Sequence, residues 1–582
     1  MNYKKLAELY KELSSTTKRL EKIDILSKFL KTISDEDNDI MYLLIGDIYP
    51  EYNEKRIGIS NQLAIKAISK STGAEKSEIV HQWKSLGDLG EVAEKLTKNK
   101  TQATLQSHIL TTKKVLENLR KLPELEGKGT VNKKLSLITE LLTSASPLEA
   151  LYLVRTLIGD LRIGVQESTI KHSLAKAFFD NSKEILDKIQ SAIDNSNDLA
   201  IVFSFAKKGK SNALEKISLE VGKPIKAMLA QKVVTIADGF KALGSPCAIE
   251  YKYDGFRLII HKQGKDVKLF TRSLENVSKQ FPEVVEYILK YVKGNSFILD
   301  SEAVGFNSKT KEYKVFQDIS QRIRRKYNIE DLQKKLPVEI NVFDILYYNG
   351  KSQLDKPFKK RSEIIRKIIQ NHPYKIICSK QIITNNEKRV KEFYNKALKD
   401  NQEGIMMKNL DAGYQPGRRV GHMLKIKPEE RDLDLVITGA EYGKGKRSGW
   451  LSSFILSCRN EDTSTQKGGR VGTSHKDKYV EVGKVGTGIK EKSEEGMSFQ
   501  ELTEKITPLI TEEKGKKIKI KPKIIVSVTY QEIQKSPNYN SGFALRFPRF
   551  TALRTDKPSS EITTLKEIKE DFENQKRNYR YG

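Results

Sequence analysis

Cysteine is scarce in this chain of 582 residues: Cys247, Cys378 and Cys458 are isolated and odd in number. That excludes a self-contained four-cysteine zinc site and fits a reducing compartment. Long apolar runs are missing too, none approaching the roughly 18 residues needed to cross a bilayer. The start, Met-Asn-Tyr-Lys-Lys-Leu-Ala-Glu-Leu-Tyr, has no apolar core followed by a small-residue cleavage site. No secretory signal is therefore expected, and the location expected is intracellular, cytoplasmic or nucleoid in a prokaryote. Acidic charge also falls short: 75 Asp+Glu stand against 104 Lys+Arg, a formal net charge of +29 with pI near 9.5. So basic a balance points to a polyanion, and without a membrane span nucleic acid is favoured over a lipid surface.

The residues present are sufficient for folded cores, with 38% hydrophobic and 31% charged. At roughly 100 to 200 residues per domain the length implies three or more domains. Residues 1–225 read as an all-α domain, with apolar residues at helical spacing from Tyr3 to Phe29 and from Pro147 to Phe179. Within it Gly87-Asp88-Leu89-Gly90 and Gly159-Asp160-Leu161-Arg162-Ile163-Gly164 place glycines between helices, where backbone N–H groups suit phosphate. Ordinary helix-connecting turns are the plain alternative.

Pro224, Gly239, Gly244 and Pro246 mark a boundary. Beyond it β signals dominate, at Phe256 to His261, Ser296 to Leu299, Val338 to Phe343 and Gly404 to Met407. Helical stretches at Ser278 to Tyr291 and Glu387 to Leu398 make residues 226–428 an α+β domain. A helix over Val315 to Tyr327 carries Arg322, Arg324, Arg325 and Lys326, a duplex clamp or a solvated basic face. In residues 429–582, short strands near Leu435 to Ala440, Ser453 to Cys458, Tyr479 to Val485 and Ile524 to Thr529 read as a small closed barrel. Arg459 to Lys478 reads as a mobile loop, Glu513 to Lys523 as a lysine-rich strand or edge, and Ile562 to Lys576 as a terminal helix.

One stretch concentrates the chemistry: Ile249-Glu250-Tyr251-Lys252-Tyr253-Asp254-Gly255-Phe256-Arg257. A lysine two residues before an Asp-Gly pair, flanked by β-forming residues, sits at a strand end where a tight turn begins. Free lysines are protonated at neutral pH, so a nucleophilic one needs burial, neighbouring cations or a metal at the reacting phosphate. Behind it follow Thr271-Arg272-Ser273, Leu299-Asp300-Ser301-Glu302, Val342-Phe343-Asp344, Glu403-Gly404-Ile405-Met406-Met407-Lys408 and Leu424-Lys425-Ile426-Lys427. Last come Ala544-Leu545-Arg546-Phe547-Pro548-Arg549-Phe550 and Arg554-Thr555-Asp556-Lys557.

In this order the series resembles the nucleotidyltransferase motifs of ATP-dependent DNA ligases, particularly the archaeal and eukaryotic replicative types. The resemblance covers nearly the whole chain, including Met228-Leu229-Ala230 and Gly46 to Pro50 in the N-terminal half. It implies a helical DNA-binding domain, an adenylation domain and an OB-fold β-barrel. It also implies three phosphoryl transfers: attack of Lys252 on the α-phosphate of ATP, passage of AMP to a 5′-phosphate at a nick, and displacement of AMP by the 3′-hydroxyl. The roles implied are DNA replication, repair and recombination, with ATP and Mg²⁺ or Mn²⁺ as cofactors and nicked duplex as the partner of a monomer. A sliding-clamp contact is common in that family, but no segment here can be assigned to it.

By the same resemblance Glu250, Arg257, Arg272, Glu302, Phe343, Arg419, Lys425, Lys427, Arg546 and Arg549 are expected to contact ATP or AMP. Phe343 would stack on adenine, and Lys425 and Lys427, two apart in a strand, would aim two ammonium groups at one phosphate. Arg272 is the candidate for gripping the nick phosphate or the 3′ end. Arg546, Arg549, Asp556 and Lys557 would orient pyrophosphate in the first step and then swing away about a hinge near Lys427 to Asp434. Asp254, Glu302 and Glu403 are the metal candidates, although the Asp-Gly turn alone accounts for Asp254 and a ribose hydroxyl is the alternative for Glu302. Gly87, Gly90, Gly159, Arg162, Gly164 and Arg322 are the DNA candidates. One departure is visible: where the family commonly has arginine before Pro-Met-Leu-Ala, this chain reads Pro224-Ile225-Lys226-Ala227-Met228, a point charge instead of a planar fork.

RNA ligase and mRNA guanylyltransferase share lysyl-nucleotide chemistry, but the helical N-terminal domain and the late Arg-Phe-Pro-Arg pattern argue against them. An NAD⁺-dependent ligase is disfavoured by the lack of a four-cysteine site, and a silent nucleic-acid scaffold is the non-enzymatic alternative.

Overall fold

The computed structural model describes residues 1–581 except 99–108, 128, 315–318, 320–321, 324–326, 419, 429–430, 444–446, 448, 461–477 and 492–496. Arg419, Arg324, Arg325, Lys326 and most of the loop expected after Arg459 lie outside the described residues. The backbone groups into two compact units, one of residues 1–67 with 101–428, the other of 68–100 with 429–581.

In the first unit the N-terminal part is helical, as its periodicity predicts. Helix Tyr3–Ser14 buries Tyr3, Leu6, Ala7, Leu9, Tyr10 and Leu13, a stripe recurring every three to four residues. Helix Pro147–Leu157 opens with proline in its first turn, and Glu149 accepts the Ser146 N–H at 2.8 Å, leaving fewer bare donors at that end.

The central part is built on two sheets. One has the order β1-β11-β10-β2-β9, with β1 Gln231–Lys232, β2 Cys247–Lys252, β9 Gln381–Thr384, β10 Gly404–Lys408 and β11 Met423–Ile426. The other has the order β4-β3-β5-β6-β7, with β3 Phe256–Gln263, β4 Asp266–Thr271, β5 Ser296–Gly305, β6 Val338–Tyr348 and β7 Lys351–Ser352, while β8 Ile376–Cys378 joins β6 in parallel. Both faces of β3 are buried: Phe256, Leu258 and Ile260 enter a core shared with helices Pro282–Tyr291 and Phe358–Ile368, whereas Ile259 enters another with Met423 and Tyr414. That second core also takes Leu219, Ile225, Ala227 and Met228, so the segment before β1 packs on the sheets.

Two glycines are required where the sheets meet. A side chain at Gly255 would run into the Ala303 carbonyl, and one at Gly404, where φ is +138°, into the carbonyl of Ile426. These close approaches bring the ends of β2 and β10 against β5 and β11.

In the second unit, β12 Arg431–Tyr442, β13 Leu451–Arg459, β14 Tyr479–Val485, β15 Ile510–Lys514 and β16 Lys517–Ile520 are ordered β14-β13-β12-β16-β15. From it β17 Ile525–Tyr530 branches to pair with β12 and with β20 Arg549–Leu553, while β18 Glu532–Lys535 and β19 Phe543–Arg546 form their own ladder. The domain is strand-rich as expected of an OB-type fold. Its ladders do not close into a barrel among the described residues: β14, β15 and β20 each pair with one strand only, while β12 divides its hydrogen bonds between β17 and β16 near an irregularity at Ile437/Gly439. The lysine-rich stretch is the β15–β16 hairpin, where Lys516 lies 4.5 Å over the Trp83 ring and Lys84 pairs with Glu513 at 3.4 Å. The terminal helix runs Leu565–Tyr581.

Candidate active site

Lys252 ends β2 directly opposite Gly404, and the Glu403 N–H donates to the Lys252 carbonyl at 2.9 Å. This register puts the two side chains together: Lys252 Nζ lies 2.6 Å from Glu403 Oε2, which also takes the ammonium of Lys427. All three are largely buried. Burial alone would raise the Glu403 carboxyl, yet Lys252 and Lys427 outweigh it and hold the group below the usual carboxylate range.

The turn after Lys252 is braced from below. Gln402 is fully buried; its Oε1 accepts the Asp254 N–H at 2.9 Å and its Nε2 donates to the Asp400 carbonyl at 2.9 Å. Asp254 is itself buried. Among the described residues no three His, Cys, Asp or Glu side chains converge to hold a metal, so the expected trio of Asp254, Glu302 and Glu403 does not form one cluster.

Glu302 on β5 sits opposite Arg257 on β3. Loss of water pushes its carboxyl up to about 8 against the pull of Lys252 and Arg257, with Glu403 and Asp300 adding to the rise. Arg257 is held by Asp300, its Nε 2.7 Å from Oδ1 and its Nη2 on Oδ2, and its guanidinium lies 5.1 Å from the centre of the Phe343 ring. Glu250 is clamped between Gln381 Nε2 and Lys408 Nζ, each at 2.7 Å. Lys408 in turn sits 4.8 Å from the Phe343 ring and 4.4 Å from that of Phe358. Lys425 lies half-buried between Lys232 and Met406 in the sheet.

Lys252, Glu250, Arg257, Glu302, Phe343, Lys425, Lys427 and Glu403 thus lie on or beside strands of the two sheets. Arg272 stands exposed one residue past β4, whose last residue Thr271 pairs with Leu258. Asp344, next to Phe343, is a structural anchor, paired with Arg361 at 2.7 and 3.1 Å in the interior. Four groups were missed by sequence reasoning, namely Gln381, Gln402, Lys408 and Tyr414. Lys408 at least ends a quoted motif; the other three carry no local pattern.

Arg322 is a correction. It was expected on a DNA-facing helix, but it is 1% exposed, pairs with Glu283 at 2.6 Å and donates to the carbonyls of Leu336 and Gln280. A guanidinium so enclosed braces the core under Phe281 and cannot reach a phosphate. Gly90 changes similarly, since its buried N–H already donates to Asp88 Oδ1 at 2.7 Å. Gly87 ends helix Lys76–Leu86 with its own N–H on the Trp83 carbonyl, and Gly159 donates to Thr156. Arg162 pairs with Asp160 at 2.7 Å, and Gly164 approaches the buried ammonium of Lys22.

In the second unit Arg546 pairs with Glu532 at 2.7 Å, Arg549 is exposed opposite Thr529, and Phe547 between them is 69% exposed with φ +51°. Lys557 and Arg554 both reach Asp434, at 2.6 and 2.9 Å.

An amine on a strand end, held by a carboxylate and ringed by cations and an aromatic face, is equipped for attack on an electrophile that gathers negative charge. Comparison with known proteins agrees. The family model for the ATP dependent DNA ligase domain matches residues 227–427, that for the DNA ligase N terminus residues 2–175, and that for the ATP dependent DNA ligase C terminal region residues 447–557. The chain is 42% identical to the DNA ligase of Nanoarchaeum equitans and 38% identical to that of Thermococcus fumicolans, each over 99% of both proteins. A solved structure named Pmar-Lig_Pre shares the fold, with TM-score 0.56 at 18% identity over 95% of this chain and 99% of that one.

Proposed function

The chain belongs to the ATP-dependent DNA ligase family, and from that premise we propose that Lys252 carries its adenylyl group and that the side chains around Glu403 run the transfer. As a member of that family it seals nicks in duplex DNA through a lysyl adenylate, an adenylated 5′-phosphate and phosphodiester formation with release of AMP, in DNA replication, repair and recombination. One observation carries the residue assignment: Glu403 Oε2 forms ion pairs with Lys252 and Lys427 together. A carboxylate that pairs with two ammonium groups where a nucleotide must react holds the nucleophile and a phosphate-binding cation at one point.

Arg257 and Phe343 would frame the nucleotide, with the ring offering its face to adenine and Glu250, fixed by Lys408 and Gln381, facing the base edge. Lys425 and Lys427 would bind phosphate oxygens, as would Arg546 and Arg549 from the second unit. Arg272 would grip the 5′-phosphate or 3′ end of the nick. Gly87, Gly159, Arg162 and Gly164 remain proposed contacts to the DNA backbone. Three domains, at 1–225, 226–428 and 429–582, remain the proposed division.

Glu302 and Glu403 fit a divalent cation: loss of water pushes the Glu302 carboxyl to about 8 in spite of Lys252 and Arg257, Glu403 lies beside it, and Mg²⁺ commonly takes only one or two carboxylates beside substrate phosphates. Bound there, Mg²⁺ or Mn²⁺ would neutralise charge on the reacting phosphate. We further propose a monomer acting inside the cell, a placement supported by three cysteines that are free and buried. A sliding clamp as partner rests on family membership alone. No helix among the described residues is long and apolar enough to cross a membrane.

Incubation with labelled ATP, GTP or NAD⁺ followed by denaturing electrophoresis tests the assignment. Label should stay on the protein from ATP and vanish in Lys252→Ala. Label retained by Lys252→Ala would overturn it.

A further inference from the structure

Tyr414 lies in the loop between β10 and β11 and is 4% exposed. Its hydroxyl donates to Asp300 Oδ2 at 2.7 Å, accepts the Met228 N–H at 2.9 Å and lies 3.4 Å from Arg257 Nη2. One oxygen therefore gives its single proton to the carboxylate that holds Arg257 and uses its lone pairs on a backbone amide and on Arg257 itself. Burial, with the nearby charge of Asp300, raises the phenol far above its ordinary range, so it remains a donor at any working pH.

The ring cannot drift. The Tyr414 N–H donates to the Leu354 carbonyl at 2.7 Å, Gln415 donates to Met228 Sδ at 3.3 Å and the Leu229 N–H donates to the Arg418 carbonyl at 2.9 Å. Two strand residues, Arg257 and Asp300, are thus referred to a loop and to the segment before β1.

We infer that Tyr414 is a positioning residue for Arg257: its hydroxyl fixes the Arg257–Asp300 pair so that the guanidinium lies ready over Phe343 when nucleotide enters. Asp300 alone grips the two ends of the guanidinium fork but leaves the pair free to pivot as a unit. The third point, supplied by Tyr414, removes that freedom before binding, so less is lost on binding. The inference rests on the reading of Arg257 as a nucleotide-contacting group.

Tyr414→Phe deletes one oxygen and keeps the ring. In single-turnover labelling with ATP its half-saturating concentration should rise about tenfold, the size of one hydrogen bond to a charged group, while the rate at saturation falls less than threefold. In a Lys252→Ala background, which has no amine to adenylate, equilibrium ATP binding should weaken by the same factor. Arg257→Lys should weaken ATP likewise, and the double variant should be no weaker than Arg257→Lys alone. Unchanged ATP binding in Tyr414→Phe, a loss confined to the saturating rate, or losses that multiply in the double variant would each overturn the inference. If Arg257→Lys itself left ATP binding intact, the reading of Arg257 would fall, and the inference with it.

Discussion

Lys252 Nζ and Glu403 Oε2 are 2.6 Å apart, and the same oxygen takes Lys427. The nucleophile is therefore one half of a buried ion pair, and nucleotide binding must redistribute three charges. Glu403→Gln leaves two ammonium groups facing a neutral amide. Breaking one partner of a buried pair costs about 3 kcal/mol, so the unfolding midpoint should drop measurably. Lysyl-AMP formation should fall by roughly 10² or more, since the group that places both lysines is gone. Because both lysines hold the Glu403 carboxyl down against burial, its stabilisation is present above the ordinary carboxylate pKa and lost as pH falls through its lowered value. The acid limb of wild-type stability should be steeper than that of Glu403→Gln. Equal limbs in thermal melts would refute the pairing.

Glu302 runs the other way. Its carboxyl is raised to about 8, so the stability linked to its proton is full below the ordinary carboxylate pKa and lost as pH rises through about 8. Glu302→Gln should flatten that decline in thermal melts between pH 5 and 8, conditions set by the two pKa values. A cation entering beside it must expel the proton. Calorimetry of Mg²⁺ binding at neutral pH in buffers of different ionisation enthalpy should show proton release in the wild type and little in Glu302→Gln.

The sequence made the chemical core legible because motif order survives folding: Lys252, Glu403, Lys427, Arg257 and Phe343 lie in short patterns on or beside strands, and the register of β2 against β10 did the rest. Strands and amphipathic helices were legible from period and composition. What was hidden depended on distant partners. Arg322 sits in a run of basic residues that reads as a surface, and only the fold shows Glu283, 39 residues away, enclosing it. Tyr414 meets Met228 and Asp300, 186 and 114 residues distant, with no motif to announce it. Barrel closure was equally invisible, since alternation marks strands but does not say which edges pair.

The Lys226 departure acquires a physical role. Lys226 pairs with Glu51 at 2.5 Å and Glu167 at 2.9 Å, and nearby Arg418 reaches Asp194 at 3.8 Å, so the segment before β1 meets the helical part through charge. A point charge suits this, because two carboxylates approach from different segments, Glu51 from a turn and Glu167 from the start of helix Glu167–Phe178. Asp194 is raised to about 6 by lost water and by Glu167, against Gln190, Arg418 and Lys226. Stability linked to it is full below the ordinary aspartate pKa and declines as pH rises through about 6. Asp194→Asn should melt higher than wild type at pH 7.5 and lose that part of the pH dependence. A melt lowered at pH 7.5 would mean that the charge on Asp194 is needed there.

Arg546 and Arg549 divide a task that their shared motif assigns jointly. Arg546 is engaged by Glu532 at 2.7 Å, whereas Arg549 is exposed on β20 and makes no ion pair among the described residues. An unengaged guanidinium suits an oxygen cluster present only in the first step, such as the departing pyrophosphate; the later steps transfer AMP to the nick and then release it, with no pyrophosphate to hold, so they should need it less. Arg549→Ala should slow lysyl-AMP formation by roughly 10² and leave sealing of a pre-adenylated nick within about threefold, less than 1 kcal/mol of barrier. Arg546→Ala should show the smaller loss in the first step and, because it removes the ion pair with Glu532, a lower melting midpoint. Rapid-quench assays of the two steps separate these outcomes. Equal losses from Arg549→Ala in both assays would show that the arginine serves the nick as well as the nucleotide.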